Sequence, residues 1–156
     1  MIPVRLRFAT LGLLLALGTA LAFAGCDGDE IISPTPQNPQ HITIRYLLVG
    51  FAGSVPGYPV TRSKVQAESL ALALHGRALG GEDFGDLIET YSDSPSRDTI
   101  AVANYGVVPA ADEYPRTWLA RGFGDIAFTI APDSIGLAVH DSVQCPNGWF
   151  LIHRID

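Results

Sequence analysis

Basic charge is scarce in this sequence. The 156-residue chain carries 10 Lys and Arg against 16 Asp and Glu, a net charge of −6 at pH 7. No basic cluster lies beyond its first few residues, which argues against a nucleic-acid partner. Cysteine is scarcer still, with Cys26 and Cys145 the full complement. A framework of several disulfides is therefore excluded, and the folded part must rely on its own apolar core. The four histidines, His41, His75, His140 and His153, are spaced unlike any metal-ligand motif. They read as surface or packing residues, and neither a metal nor a cofactor is expected. No internal repeat is visible.

What is present begins with an amino-terminal signal. "MIPVRLRFATLGLLLALGTALAFAGC" places Arg5 and Arg7 before an apolar run from Phe8 to Ala24, then small residues. That is the layout of a secretory signal peptide. Cys26 directly after "FAG" makes it resemble a bacterial lipoprotein signal, with Cys26 lipidated as the first mature residue. Residues 1–25 are then a removable signal, although the apolar run is also close to the lower length of a single membrane anchor. If Cys26 carries lipid, Cys145 has no intramolecular partner. Residues 26–40 include "DGDEIISPTPQNPQ", acidic and then rich in Pro, Gln and Asn. Such a composition cannot bury a core and reads as an extended tether. The expected location is the cell envelope, lipid-anchored on a periplasmic or extracytoplasmic face.

The pattern changes at His41, and residues 41–156 read as one domain. "ITIRYLLV" is β-branched and apolar, the mark of a central strand. "GFAGSVPGYPV" is a Gly- and Pro-punctuated loop. "TRSKVQAESLALALHGRAL" reads as a helix, with Ser63 and Gln66 at capping-box spacing and Gly80-Gly81 as its stop. "EDFGDLIETYSD" is a second helix, in which Phe84, Leu87, Ile88 and Tyr91 share one face. "TIAVANYGVV" is strand-like or irregular, and "YPRTWLARGFGDIAF" reads as one or two short helices. "APDSIG" is a turn. "LAVHDSV" and "WFLIHRI" are strands joined by "QCPNG", where Asn147-Gly148 is a strong turn signal. The sum is an α+β domain with a small, mainly antiparallel sheet of about four strands flanked by about four helices.

Taken in order, "RYLLVGF", "GGEDFGDLIETYSD", "ANYG", "GFGDIAFTIAPDSIG" and "NGWFLIHRI" resemble the parvulin-type peptidyl-prolyl cis–trans isomerases. The resemblance covers about residues 42–155. It implies a set of site positions, several of them altered. Where the family's first strand has a histidine before an apolar pair, this chain has Tyr46. The histidine two residues after the last strand's glycine becomes Phe150. The cysteine or aspartate after the "YS" helix becomes Ser94. These three are the implied catalytic positions. For the proline pocket, Phe123 and Leu119 match the family, Tyr105 replaces an apolar residue of the "GGDLG"-like turn, and Cys145 falls near a usual threonine. The family's optional basic loop has no counterpart, so phosphopeptide preference is not expected.

Side chains on a strand alternate between faces. His153, three positions from Phe150, is expected to point away from the pocket, as is His41, five positions from Tyr46 and about 17 Å along the strand. Rotation about an Xaa-Pro bond breaks no covalent bond, so a site can act by holding the twisted amide more tightly than either planar form. With both family histidines replaced by aromatics, the expected site is unusually apolar. Three functions follow in decreasing order. The first is an isomerase with a degenerate site, assisting exported proteins to fold. The second is a non-catalytic chaperone or adaptor that holds proline-containing or unfolded segments. The third is a structural envelope lipoprotein.

Overall fold

The computed structural model describes residues 38–94 and 99–156. The expected signal, Cys26 and all but the last three residues of the expected tether lie outside the described residues. The domain is built from a central strand outward. β1 (His41–Val49) is flanked by β2 (Ile100–Ala103) and β5 (Trp149–Arg154), with β3 (Glu113–Pro115) and β4 (Ile135–Ala138) at the two edges. All pairings are antiparallel except β2 with β3. Burial on both faces explains why β1 is a nearly unbroken apolar run rather than an alternating one.

The sheet therefore has five strands. The additional one is β3, whose Tyr114 and Pro115 open the stretch that reads in sequence as one or two short helices. Three residues of strand carry no usable periodicity, and Pro115 can end such an edge element because it need not donate a ladder hydrogen bond. A 3₁₀ turn, Arg116–Trp118, follows it directly. Three α-helices complete the domain, α1 (Lys64–Leu79), α2 (Phe84–Tyr91) and α3 (Arg121–Thr129), rather than about four helices. β4 also starts and ends earlier than expected. Past Ala138 the chain turns, because the Asp141 carboxylate accepts from the Val143 and Gln144 amides at 2.9 and 2.8 Å. Such a local side-chain turn competes with strand pairing. The same two amides hold the Asp141 carboxyl below its ordinary pKa.

Helix α1 starts at a complete capping box. The Ser63 hydroxyl accepts from the Gln66 amide, and the Gln66 side chain accepts from the Ser63 amide. Ala67, Ala71, Leu74 and Ala78 form its buried face. Three alanines among the four let the helix lie close to the sheet. α2 is capped by Asp83 and buries Phe84, Leu87 and Ile88. Both helices cover one face of the sheet, against Leu47, Val49, Trp149 and Leu151. The opposite face carries Ile42, Ile44, Leu48, Phe150 and Ile152; among the described helices the short α3 packs on it, with loop residues such as Val55 and Leu119 beside it.

The turn before β5 owes its glycine to crowding. Gly148 has φ +138°, and a Cβ there would stand 2.2 Å from the Val49 carbonyl oxygen. Any side chain would push β5 off β1.

Candidate functional site

The uncovered part of the α3 face is where the candidate residues meet. Tyr46 projects from β1 and Phe150 from β5, on the same side of the sheet, and Phe123 comes from α3. Their rings contact one another in all three pairs. Tyr46 and Phe123 are 5.3 Å apart between centroids, Tyr46 and Phe150 6.0 Å, and Phe123 and Phe150 4.9 Å. The arrangements are edge-on or tilted, the geometry that ring quadrupoles favour. Phe123 and Phe150 are buried, so the trio is partly core and partly wall.

The wall encloses a cavity of about 150 Å³, lined by Tyr46, Ile100, Trp118, Leu119, Ala120, Phe123, Asn147 and Phe150. Leu119, Phe123, Tyr46 and Phe150 thus surround one concavity. No charged side chain lines it. Its volume suits a single small apolar group rather than a drug-sized ligand, for which several hundred Å³ is usual.

One polar contact joins a lining residue to Ser94, which is buried and does not itself line the cavity. The Tyr46 hydroxyl lies 3.2 Å from the Ser94 hydroxyl. The chain after α2 puts Ser94 there by running beside the end of β1. The Ser92 hydroxyl accepts from the Leu48 amide, and the Asp93 amide donates to the Leu48 carbonyl at 2.8 Å. The Asp93 carboxylate then accepts from the Gly50 amide at 2.9 Å and pairs with Arg62. Arg62, which also donates to the Gly50 carbonyl, is thereby committed to holding this corner.

The other two expected pocket residues stand elsewhere. Tyr105 is 53% exposed and does not line the cavity. Its ring lies on the Arg116 guanidinium at 4.5 Å, with Phe128 on another approach at the same distance. Arg116 donates to Asn104 at 2.9 Å and Asp125 at 2.6 Å, so this buried cation ties the residue after β2, the 3₁₀ turn and α3 together. α3 can pass close to it because residue 124 is glycine, whose Cβ would stand 3.3 Å from the Arg116 Nε. Cys145 is fully buried behind the trio, in the same apolar cluster. Burial pushes its thiol up to about 11.

No histidine lines the cavity. His153 packs edge-on against Phe84, on the α1–α2 face. The His41 Nδ1 is 3.0 Å from the Glu113 carboxylate at the sheet edge. His140 sits between Phe51 and Trp149, with its Nδ1 3.0 Å from the Cys145 carbonyl. The lining residues that sequence reasoning passed over are Ile100, Trp118, Ala120 and Asn147. Trp118 adjoins Leu119 in sequence, and its neighbourhood was the available signal.

No family model matches the chain, and no curated protein matches it. Solved structures do. The fold is the α+β fold of the parvulin-type peptidyl-prolyl isomerases. One such structure is that of peptidyl-prolyl isomerase ESS1 from Candida albicans, with a TM-score of 0.55 and 14% sequence identity. The match covers 75% of this chain and 63% of that one. This chain therefore spans less than two thirds of that protein's length, and at such identity the likeness is one of fold alone.

Proposed function

We propose that residues 41–156 form a parvulin-type peptidyl-prolyl cis–trans isomerase that acts on proline-containing segments of exported polypeptides. The observation that carries this reading is the apolar cavity between Tyr46, Leu119, Phe123 and Phe150. Its size suits a proline ring, and the ring-lined wall takes water away from the adjoining amide. Water hydrogen-bonded to the amide carbonyl favours the planar, polarised form. Removing that water lowers the barrier of about 18–20 kcal/mol to rotation. A thousandfold acceleration needs only about 4 kcal/mol of preference for the twisted amide. No nucleophile, metal or cofactor enters such a step. Tyr46 supplies a hydroxyl from the cavity's lining, and Ser94 stands behind it within hydrogen-bond distance.

A second reading is favoured by Phe150. Its ring cannot donate or accept where the resemblance calls for a histidine. On this reading the domain holds prolyl segments as a chaperone or adaptor and turns them over slowly or not at all. The deciding measurement pairs isomerisation kinetics on Xaa-Pro peptides with chemical-shift mapping, using the full chain in detergent. Acceleration with shifts at Phe123 supports the isomerase. Shifts without acceleration leave the binding module, and no shifts near Phe123 remove both.

The same proposal includes an envelope location. Cys26 carries lipid, residues 1–25 are removed, and residues 26–40 hold the domain off the membrane surface. Labelled palmitate should be incorporated by the wild-type chain in a bacterial host and not by Cys26→Ser. Equal labelling of the two would overturn the anchor.

A further inference from the structure

We propose that the groove has a second subsite, built by Tyr114 and Trp118, that selects peptides with an aromatic or other large apolar residue flanking the proline. This rests on the prolyl-binding reading above and adds the substrate class. The proline cavity opens into a second cavity of about 330 Å³, lined by Tyr46, Ile100, Tyr114, Trp118 and Leu119. Four of those five, Tyr46, Ile100, Trp118 and Leu119, also line the first cavity. A chain whose proline occupies the first cavity therefore runs directly over the second.

The second cavity has no charged side chain in its lining. Its two outer walls are rings set edge to face, 6.2 Å apart between centroids and 69° between planes. Both rings face solvent, Trp118 at 73% and Tyr114 at 47% exposed. Burying so much aromatic surface against an apolar side chain is favourable.

The rings are also held in place before any peptide arrives. Tyr114 sits on β3, in register with Val102 of β2. Trp118 ends the 3₁₀ turn that Arg116 begins, and Arg116 is fastened to Asn104 and Asp125. A prearranged surface of this kind loses little freedom on binding. The proline cavity takes the ring common to all substrates, and Tyr114 and Trp118 read its neighbour.

The test uses two peptide sets that differ only in the residues flanking proline, Phe in one and Ala in the other, titrated against the full chain in detergent. The chain has two tryptophans, and Trp149 is buried, so a binding-induced blue shift of emission reports on Trp118. Phe-flanked peptides should bind roughly tenfold more tightly than Ala-flanked ones. Tyr114→Ala, read by the same emission shift, and Trp118→Ala, read by titration calorimetry alongside wild type, should each bring that ratio toward one. Both side chains are exposed, so neither substitution opens the core. Equal affinity for the two sets, with shifts at Phe123, overturns the subsite and keeps the proline cavity. A ratio that survives both substitutions also overturns it. Binding of neither set removes the prolyl reading itself.

Discussion

The two faces of the sheet hold similar residues but are covered unequally. Against α1 and α2, Leu47, Val49 and Leu151 meet Ala67, Ala71, Leu74 and Leu87, with Phe84 and Trp149 buried among them. Against α3, Ile42, Ile44 and Ile152 pack beside the buried rings of Phe123, Phe128 and Phe150, and Tyr46 packs against these. Two helices close the first face, whereas the nine residues of α3 leave part of the second open. Small side chains on α1 let helix and sheet lie close together. Three rings meeting at angles cannot fill space so evenly, and the space they leave is the candidate cavity. The closed face should therefore govern stability, and the open one binding.

The largest test of that division is Leu74→Ala. Leu74 is fully buried in the closed face. The substitution should cost about 3–4 kcal/mol in urea unfolding. Prolyl-peptide affinity measured well below the melting temperature should stay unchanged, and a parallel loss of affinity breaks the comparison. Arg116→Met, on the open face, removes two hydrogen bonds and two ring contacts and should cost about 2–3 kcal/mol. Here peptide affinity should fall as well, because the turn bearing Trp118 loses its anchor. Stability loss without loss of affinity would detach Arg116 from the groove.

A pH titration sharpens the same contrast. The folded domain keeps the Cys145 proton up to about pH 11, whereas an unfolded thiol releases it about two units earlier. The folded state then binds more protons than the unfolded one, so stability falls as pH rises from about 9 to 11. The loss from this group is on the order of 2 kcal/mol. Urea midpoints for wild type and Cys145→Ala should converge over that window, and parallel curves would remove the thiol from the account. Phe150→His should lower stability by about 1–2 kcal/mol, since a polar ring enters an apolar cluster. Its rate of isomerisation should rise, and a falling rate argues against Phe150 as the limiting position. The smallest effect is that of Tyr46→Phe, with stability changing by less than about 1 kcal/mol through the lost hydroxyl contact. Isomerisation should drop without a change in peptide affinity, and an unaltered rate takes the Tyr46–Ser94 pair out of the reaction.

Much of this was legible in the residues. The helices α1 and α2 are written in their caps and spacing, Ser63 with Gln66 and Phe84 with Leu87 and Ile88. β1 is written in its β-branched run. The alternation of side chains along β5 was enough to separate Phe150 from His153. β3 was not legible, because three residues ending in proline carry no period. Nor was the fate of Tyr105, whose place beside the "ANYG" turn says nothing of a guanidinium that arrives from Arg116. The same cation explains Gly124, which in sequence looks only like a helix breaker.

The sequence by itself determined the order of the main elements other than β3, the parity of the strands and the exchange of polar for aromatic residues at the expected site positions. Those depend on neighbours a few residues apart, where backbone periodicity and capping act. Only the tertiary structure decided that Tyr46, Phe123 and Phe150 touch, that Ser94, Tyr105 and Cys145 stand outside the cavity's lining, and that Tyr114 and Trp118 extend it. Those relations join residues from separate strands and helices, and they are set by how two unequal layers pack on one sheet.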